Sequence, residues 1–207
     1  MSKFYPIYLD VKDKKCVIVG GGKVAYRKVC SLKEAGAEVV VVSPETCPEI
    51  ADKKDIALIK KDYDENILDG ALLVIAATDN EAVNKKVSLD ARKRNIIVNV
   101  VDHPELCSFI VPSTINRGDL CISISTGGAS PAFAKSVREE LEVFFGSEYE
   151  EYLNLLTKMR SIAMSDIKNS AKRRKVLQRM AEKDILDIMK NKGVTEAEAR
   201  MREIMFG

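Results

Sequence analysis

The chain has 207 residues, of which 46% are apolar and 31% are charged, and its net charge is +2. These values are ordinary for a globular protein and suit one large domain or two modest ones. The longest apolar run, residues 71–77, is too short to cross a bilayer, and the first six residues lack the features of a secretory signal, so we expect neither a membrane protein nor a secreted one.

Strand-like and helical stretches alternate through the first 100 residues, which predicts βαβ units and a parallel sheet. The strands are rich in β-branched residues and apolar on both faces, as in a sheet that helices cover on both sides. Strands are expected near 15–20, 38–43, 56–60, 72–77 and 96–100, and helices near 23–35 and 80–94. Residues 5–9 are a candidate edge strand, where Pro6 is tolerated.

The first predicted strand runs directly into a glycine turn and a helix. Gly20, Gly22 and Ala25 match G-x-G-x-x-G/A, the fingerprint that seats a dinucleotide pyrophosphate on a helix N-terminus. Gly20 permits the tight turn, Gly22 lets the backbone approach the phosphates, and Ala25 is small enough for the helix to pack on the strand. Because an apolar strand precedes the glycines and a second strand follows, the sequence predicts dinucleotide binding.

The second predicted strand ends at Ser43-Pro44-Glu45, where an acid normally grips the ribose hydroxyls. Ser43 occupies the usual position, and Glu45 is the first carboxylate after it. Since no arginine follows closely to receive a 2′-phosphate, this end of the strand favours NAD over NADP. Glu45 is either a ribose ligand or an ordinary loop acid.

Two more strand ends carry polar residues at the same edge, where ligands bind in open parallel sheets. Thr78 is a candidate hydrogen-bond partner of the nucleotide, and Thr78, Asp79 or Asn80 is also expected to cap the next helix. Asp102, followed by His103, comes after the fifth strand. A carboxylate at a cleft mouth can act as a general base. The alternative is a local turn before a proline.

The pattern changes from residue 107, where two strand-like runs, 107–111 and 120–125, flank a turn at 116–119. This predicts a hairpin. The loop that follows contains Gly128, and it is expected to offer free backbone amides as an anion clamp or simply to start a helix. Ser130 is the expected N-cap of that helix, with Pro131 as its first residue.

The segment from 147 to 207 is expected to be helical, with breaks near 169–170 and at Gly193. Thr195 is the predicted cap of the last helix, with Glu198 completing a capping box. From residue 151 onward there are 13 Lys and Arg against 8 Asp and Glu. The run 172–175 is either a solvated helix face or a surface that attracts a polyanionic substrate. Few aromatic residues accompany it, which argues against nucleic acid.

The chain has five scattered cysteines, no C-x-x-C pair and one histidine. An odd number of cysteines without a framework favours a reducing, cytoplasmic setting. A cysteine-ligated zinc site and a multi-histidine metal site are both unexpected. We therefore predict no resident metal, and any metal role would depend on carboxylates.

Taken together, these motifs resemble the siroheme-synthase dehydrogenase family, whose members are precorrin-2 dehydrogenases and often also sirohydrochlorin ferrochelatases. The resemblance covers about residues 3–145 in the family's order and spacing. The matching segments are VGGGKVAxRK at 19–28, AATD at 76–79, NVVD at 99–102, SFIVPS at 108–113 and STGGxSP at 125–131.

The resemblance implies an α/β subunit in three parts. These are an NAD-binding Rossmann domain with a parallel sheet over residues 1–112, a small α+β dimerisation region over 113–146, and a helical C-terminal region over 147–207. It further implies a homodimer, with a tetrapyrrole cleft between the NAD domain and the partner subunit.

The resemblance also assigns roles to single residues. By it, Asp102 is the catalytic aspartate, and Ser130 lies at the tetrapyrrole pocket, to which we also assign His103 and Gly128. By it, Lys23, Val24, Pro44 and Glu45 contact NAD, and the glycine fingerprint and the strand ends add Gly20, Gly22 and Thr78 to that site.

The activity that the resemblance implies is NAD-dependent dehydrogenation of precorrin-2 to sirohydrochlorin. Ferrochelation, with Fe²⁺ as a second substrate, stays open because the shared motifs do not separate monofunctional from bifunctional members. The alternatives are a non-catalytic NAD-sensing protein, a nucleic-acid-binding module that uses residues 172–175, and a stand-alone chelatase that ignores NAD⁺.

Overall fold

The computed structural model describes residues 4–207. These residues form two units, the first ending at Val111 and the second beginning at Pro112. The further division of the chain at residues 146 and 147 stays a prediction.

The first unit contains a parallel sheet of five strands, β1 (Lys15–Val19), β2 (Glu38–Val42), β3 (Ala57–Ile59), β4 (Leu73–Ala76) and β5 (Ile97–Val100). Their order in the sheet is β3-β2-β1-β4-β5. The chain reverses its direction of winding between β1 and β4, and such a switch point opens a crevice at the carboxyl ends of the strands. The helices are α1 (Lys23–Glu34), α2 (Pro48–Ala51) and α3 (Glu81–Lys93), with 3₁₀ turns at Glu65–Leu68 and Pro104–Leu106.

Alternate residues of β1 enter two separate cores, which explains why the strand is apolar throughout. Cys16 and Ile18 pack with the buried face of α1, whereas Val17 and Val19 pack with the buried face of α3. All four side chains are at most 2% exposed. The predicted α/β architecture with a parallel sheet covered on both faces is therefore confirmed.

The second unit combines a hairpin with five helices. Its elements are β6 (Ser113–Arg117), β7 (Leu120–Ile124), α4 (Pro131–Glu142), α5 (Glu148–Asp166), α6 (Ser170–Met180), α7 (Lys183–Lys192) and α8 (Val194–Phe206). A core rich in methionine joins α5 to α8, and Met159, Met180 and Met201 are fully buried in it. No helix among residues 4–207 is both long enough and apolar enough to span a membrane.

The predicted edge strand at residues 5–9 is wrong, because no strand forms there. Pro6 has no N–H to donate to a ladder. Tyr5 is 86% exposed and Ile7 is 68% exposed, so no burial compensates for the missing hydrogen bond.

The hairpin is present, but its first strand is β6, and residues 107–111 are not a strand. Ser108 makes a backbone bond from this segment to the edge strand of the sheet: its amide donates to the Val98 carbonyl (2.8 Å), and its Oγ accepts from the Val98 amide (2.7 Å). Pro112 then interrupts the backbone donors before β6 begins. The turn itself lies at Gly118 and Asp119, within the predicted range.

The predicted capping box of the last helix is wrong. Gly193 is the N-cap of α8, and Thr195 lies inside the first turn. The Glu198 carboxylate accepts instead from Lys158 Nζ (2.7 Å) and Arg202 Nη2 (2.8 Å), so an ion-pair network takes the place of the local bond.

Asp90 on α3 is 4% exposed and accepts hydrogen bonds from Lys86 Nζ (3.0 Å) and the Tyr63 hydroxyl (3.3 Å). Burial opposes its charge, but the hydrogen bond and charge of Lys86 and the charge of Lys93 together lower its pKa. Because the folded pKa lies below the unfolded value of about 3.9, this charge stabilises the fold above about pH 4. The contribution is lost as the pH falls through the folded pKa.

Asp90→Asn is therefore expected to lower the free energy of unfolding by about 1.5–3 kcal/mol at neutral pH, the range for hydrogen bonds to a charged group. The difference from wild type should shrink below about pH 4, where the wild-type carboxylate becomes protonated. Urea unfolding of both proteins at neutral and acidic pH measures this, with the exposed Asp62→Asn as control. A difference that does not depend on pH would remove the charge of Asp90 as its cause.

Candidate nucleotide-binding and active site

Gly20 ends β1 in a conformation that requires glycine. Its φ is +125°, and a Cβ at this position would lie 2.3 Å from the Ala77 carbonyl oxygen. Its amide donates to the Val42 carbonyl (2.9 Å), which continues the β1–β2 ladder by one residue. The backbone at the end of β4 therefore approaches Gly20 too closely for any side chain.

Gly21 is the second glycine that another segment approaches closely. The G-x-G-x-x-G/A pattern allows any residue at this position. A Cβ here would lie 2.0 Å from the Glu45 carbonyl oxygen. The Cys47 amide donates to the Gly21 carbonyl (2.8 Å), so the loop after β2 is folded onto the glycine turn. The only sign of this close approach in the sequence is that the middle position of the run 20–22 is also a glycine.

Ser43 is buried and has a structural partner. Its Oγ donates to the Glu45 carbonyl oxygen (2.5 Å), which holds the loop after β2 in its folded shape. Pro44 and Glu45 are both exposed in that loop. The arrangement leaves the backbone of Glu45 next to the glycine turn, with the residue itself exposed.

The start of α1 has the features of an anion site. Gly22 is its N-cap, and no side chain caps the helix or places an acid in its first turn. Apart from its neighbours along the chain, no described residue has an atom within 4 Å of the position where a Gly22 Cβ would be, so there is open space beside the first-turn amides. Lys23 is exposed and Val24 half-buried as the first helical residues, whereas Ala25 is fully buried against the sheet. Unsatisfied amides and the helix dipole favour a phosphate group in such a space.

Thr78 and Asn80 organise the start of α3. The Thr78 hydroxyl donates to Asn84 Oδ1 (2.8 Å), and Asn84 Nδ2 returns a bond to the Thr78 carbonyl (2.9 Å). Asn80 Oδ1 caps the helix by accepting from the Ala82 and Val83 amides. The hydroxyl of Thr78 thus has a structural partner, and its contact with a nucleotide stays a prediction.

Asp102 follows β5 and is exposed, with φ +62°. The left-handed conformation is uncommon for a residue with a side chain, and such residues cluster at functional sites. A ladder bond and a turn bond fix the backbone on both sides: the Val101 amide donates to the Ala76 carbonyl (3.0 Å), and the His103 amide donates across the turn to the Val100 carbonyl (3.3 Å). No hydrogen bond or ion pair joins the Asp102 carboxylate to another residue in the described part of the chain.

His103 pairs with a neighbouring acid. Its Nδ1 lies 3.1 Å from Glu105 Oε1, and the side chain is 30% exposed. The Glu105 backbone amide, with help from the His103 ring, lowers the pKa of the Glu105 carboxyl. Within residues 4–207, no three His, Cys, Asp or Glu side chains are grouped so that they could hold a metal ion.

The candidate residues of the first unit follow neighbouring strand ends. One-residue extensions of the ladder join Ser43 to Ile59, Gly20 to Val42, Ala77 to Val19 and Val101 to Ala76. The loop with Glu45, the glycine turn, Thr78 and Asp102 are therefore arranged side by side along the carboxyl edge of the sheet. This edge is where open parallel sheets bind their ligands.

Ser130 and Gly128 lie in the second unit, in the loop before α4. Ser130 Oγ accepts from the Phe133 amide (3.2 Å), which confirms it as the N-cap, and Pro131 is the first helical residue. The expectation that the loop offers free amides is largely wrong. The amides of Gly127, Ala129 and Ser130 donate to Ser125 Oγ, the Thr126 carbonyl and Thr126 Oγ1.

The doubly wound sheet, the glycine turn and the open start of α1 define a Rossmann-type dinucleotide-binding protein. Residues 7–113 match the family described as "Putative NAD(P)-binding", and residues 117–143 match "Sirohaem biosynthesis protein central". The chain belongs to this NAD(P)-binding family.

Similar proteins carry corresponding names. The siroheme synthase of Thioalkalivibrio sulfidiphilus is 40% identical over 89% of this chain, and that of Methylobacillus flagellatus is 46% identical over 70%. The chain spans only 38% and 32% of the length of these two relatives. A solved structure named "SirC, precorrin-2 dehydrogenase" is 25% identical, with a TM-score of 0.82 over 97% of this chain and 100% of that one.

Proposed function

We propose that this protein oxidises precorrin-2 to sirohydrochlorin with NAD⁺ as the electron acceptor. The observation that carries the proposal is the placement of an open pyrophosphate site at Gly22 and an unpaired carboxylate at Asp102 along one edge of one sheet. The likeness to siroheme synthases and to a precorrin-2 dehydrogenase supports the choice of substrate.

The residues at the start of α1 fit the pyrophosphate of the cofactor. The open space at Gly22 adjoins backbone amides that no described side chain caps. These amides would hold the pyrophosphate, with Lys23 and Val24 beside it. Gly20 shapes the turn, and Pro44, Glu45 and Thr78 would contact the rest of the dinucleotide. Bound NAD⁺ supplies a hydride acceptor.

Asp102 would act as the base. Oxidation of the reduced macrocycle releases one hydride to NAD⁺ and one proton, so the products are sirohydrochlorin, NADH and H⁺. A carboxylate oxygen of Asp102 is free of any partner among residues 4–207 and would receive that proton. His103, Gly128 and Ser130 would contact the substrate.

The remaining parts of the proposal concern assembly and a second activity. The subunit would pair as a homodimer through the region 113–146, with residues 1–112 binding NAD and 147–207 forming the helical region, in the cytoplasm. Ferrochelation would take Fe²⁺ as a substrate for insertion into sirohydrochlorin.

Anaerobic incubation of the protein with precorrin-2 and NAD⁺ tests the dehydrogenase, with NADH and the sirohydrochlorin spectrum followed together. We expect the two products in equal amounts, and a slower reaction with NADP⁺. Addition of Fe²⁺ then tests for siroheme. If the folded protein binds NAD⁺ but yields no sirohydrochlorin, the dehydrogenase proposal fails and an NAD-sensing role takes its place.

A further inference from the structure

Two concave surfaces meet at Ala181, the first of the two residues between α6 and α7. Both surfaces lie within the second unit. One is an open cleft of about 460 Å³ along α6, lined by Arg173, Arg174, Leu177 and Gln178 among others. The other is a pocket of about 320 Å³ between α5, α7 and the hairpin. Both volumes fall within the range of about 300–1,000 Å³ that is typical of small-molecule sites.

The pocket has an aromatic and apolar wall. Phe145 and Tyr149 pack with their ring centroids 5.1 Å apart, and Leu153 and Leu186 also line the space. Lys190 Nζ lies 4.9 Å from the Tyr149 ring centroid and pairs with Glu148, so its charge is balanced. This wall offers contact to the face of a flat, apolar ring.

The cleft supplies cations that have no anionic partner. Helix α6 contains five Lys and Arg and no acid. Among residues 4–207, the Arg173 guanidinium donates only to the Ile167 carbonyl (2.9 Å). In the described part of the chain, Arg174 on the cleft and Lys183 on the pocket form no ion pair, whereas Glu182, the acid of the pocket, is paired with Arg179 (3.2 Å). The net charge of this surface is therefore positive, and its cations are available to bind carboxylates.

The junction between the two concavities is held in place. The Tyr152 hydroxyl donates to the Met180 carbonyl (2.9 Å) and lies 3.4 Å from the Glu182 carbonyl, on the two sides of Ala181. Burial raises the pKa of Tyr152 to about 12, so the hydroxyl keeps its proton at neutral pH. The turn that both surfaces share is thus fixed before any ligand arrives.

We propose that the surface around Ala181 is a binding site for a polycarboxylated aromatic macrocycle, separate from the carboxyl edge of the sheet. The apolar wall of the pocket packs against the face of the ring, while Arg173, Arg174 and Lys183 bind carboxylates at its rim. An anionic, apolar ligand follows from the surface alone, and the choice of a tetrapyrrole rests on the proposed function.

Uroporphyrin, a stable octacarboxylic tetrapyrrole, is the probe for this site, titrated calorimetrically against the full chain at about 0.15 M salt. Arg174→Ala/Lys183→Ala removes one exposed, unpaired cation from each concavity. Lys172→Ala/Lys175→Ala is the matched control: both lysines are exposed and unpaired on α6 but line neither space. Circular dichroism and Tm check that both variants fold as wild type.

We expect wild type and control to bind one uroporphyrin per chain at this site. The test variant should lose this uroporphyrin, or bind it about tenfold more weakly, because charge-assisted bonds are lost. Tyr149→Ser should weaken the binding of the same uroporphyrin. Equal binding by wild type and test variant overturns the site, and so does equal weakening in the two double variants, which would indicate diffuse charge attraction. Because the titration needs neither NAD⁺ nor turnover, its result is independent of whether the dehydrogenase assay succeeds.

Discussion

Replacing Asp102 with asparagine is expected to lower the rate of NAD⁺-dependent precorrin-2 oxidation by about 10²-fold or more, since a positioned general base contributes about 10²- to 10⁴-fold. Asparagine is nearly the same size but cannot take up the proton. Like aspartate, it tolerates the left-handed conformation of position 102, so the fold should be kept. Affinity for NAD⁺ should stay unchanged, because the glycine turn follows a different strand. Steady-state kinetics and NAD⁺ titrations measure the two effects separately.

The chain offers a matched control in Asp13. It is also an exposed aspartate with a positive φ (+55°), but it precedes β1 and so lies at the opposite edge of the sheet. Asp13→Asn should retain the full rate. If Asp102→Asn keeps a rate close to wild type, Asp102 is not the base. If both variants slow the reaction equally, the cause is a general effect of the substitution.

The order of elements in the first unit could be predicted because each strand carries its own signal. Runs such as Val39–Val42 are β-branched and apolar on both faces, as expected for a parallel strand that is covered on both sides. The glycine turn added a boundary between β1 and α1 that matched the observed one. For the same reason, candidate residues at strand ends could be assigned to one edge without knowing any distance.

The parts that sequence reasoning missed depend on contacts between distant segments. Gly21 is required because the loop carrying Glu45 folds onto it, and no local pattern records that approach. Ser108 binds Val98 through its side chain as well as its backbone, which ends strand pairing at a place where the apolar pattern continues. Glu198 matches a capping box, but Lys158, forty positions earlier, binds it instead.

Substitutions at Gly22 are expected to affect the stability of α1 and the affinity for the cofactor differently. Gly22→Asp should leave Tm unchanged or raise it slightly, because aspartate is a good N-cap and its charge suits the positive end of the helix dipole. The extended backbone at position 22 (φ −83°, ψ −176°) accepts a side chain. Apart from the chain neighbours, no described residue has an atom within 4 Å of a Cβ added there. Affinity for NAD⁺ should fall by about 10²-fold or more, since two like charges about 4 Å apart repel by roughly 4 kcal/mol at an effective dielectric constant of 20.

Gly22→Asn distinguishes charge from space, because asparagine is equally good as an N-cap and nearly equal in size. It should keep the stability of wild type and weaken NAD⁺ binding less than aspartate does. Thermal unfolding and NAD⁺ titration of the three proteins give the comparison directly. If Gly22→Asp binds NAD⁺ as tightly as wild type, the pyrophosphate does not lie at the start of α1. A fall in Tm together with affinity would instead mean that residue 22 has packing partners that the open space beside it does not reveal.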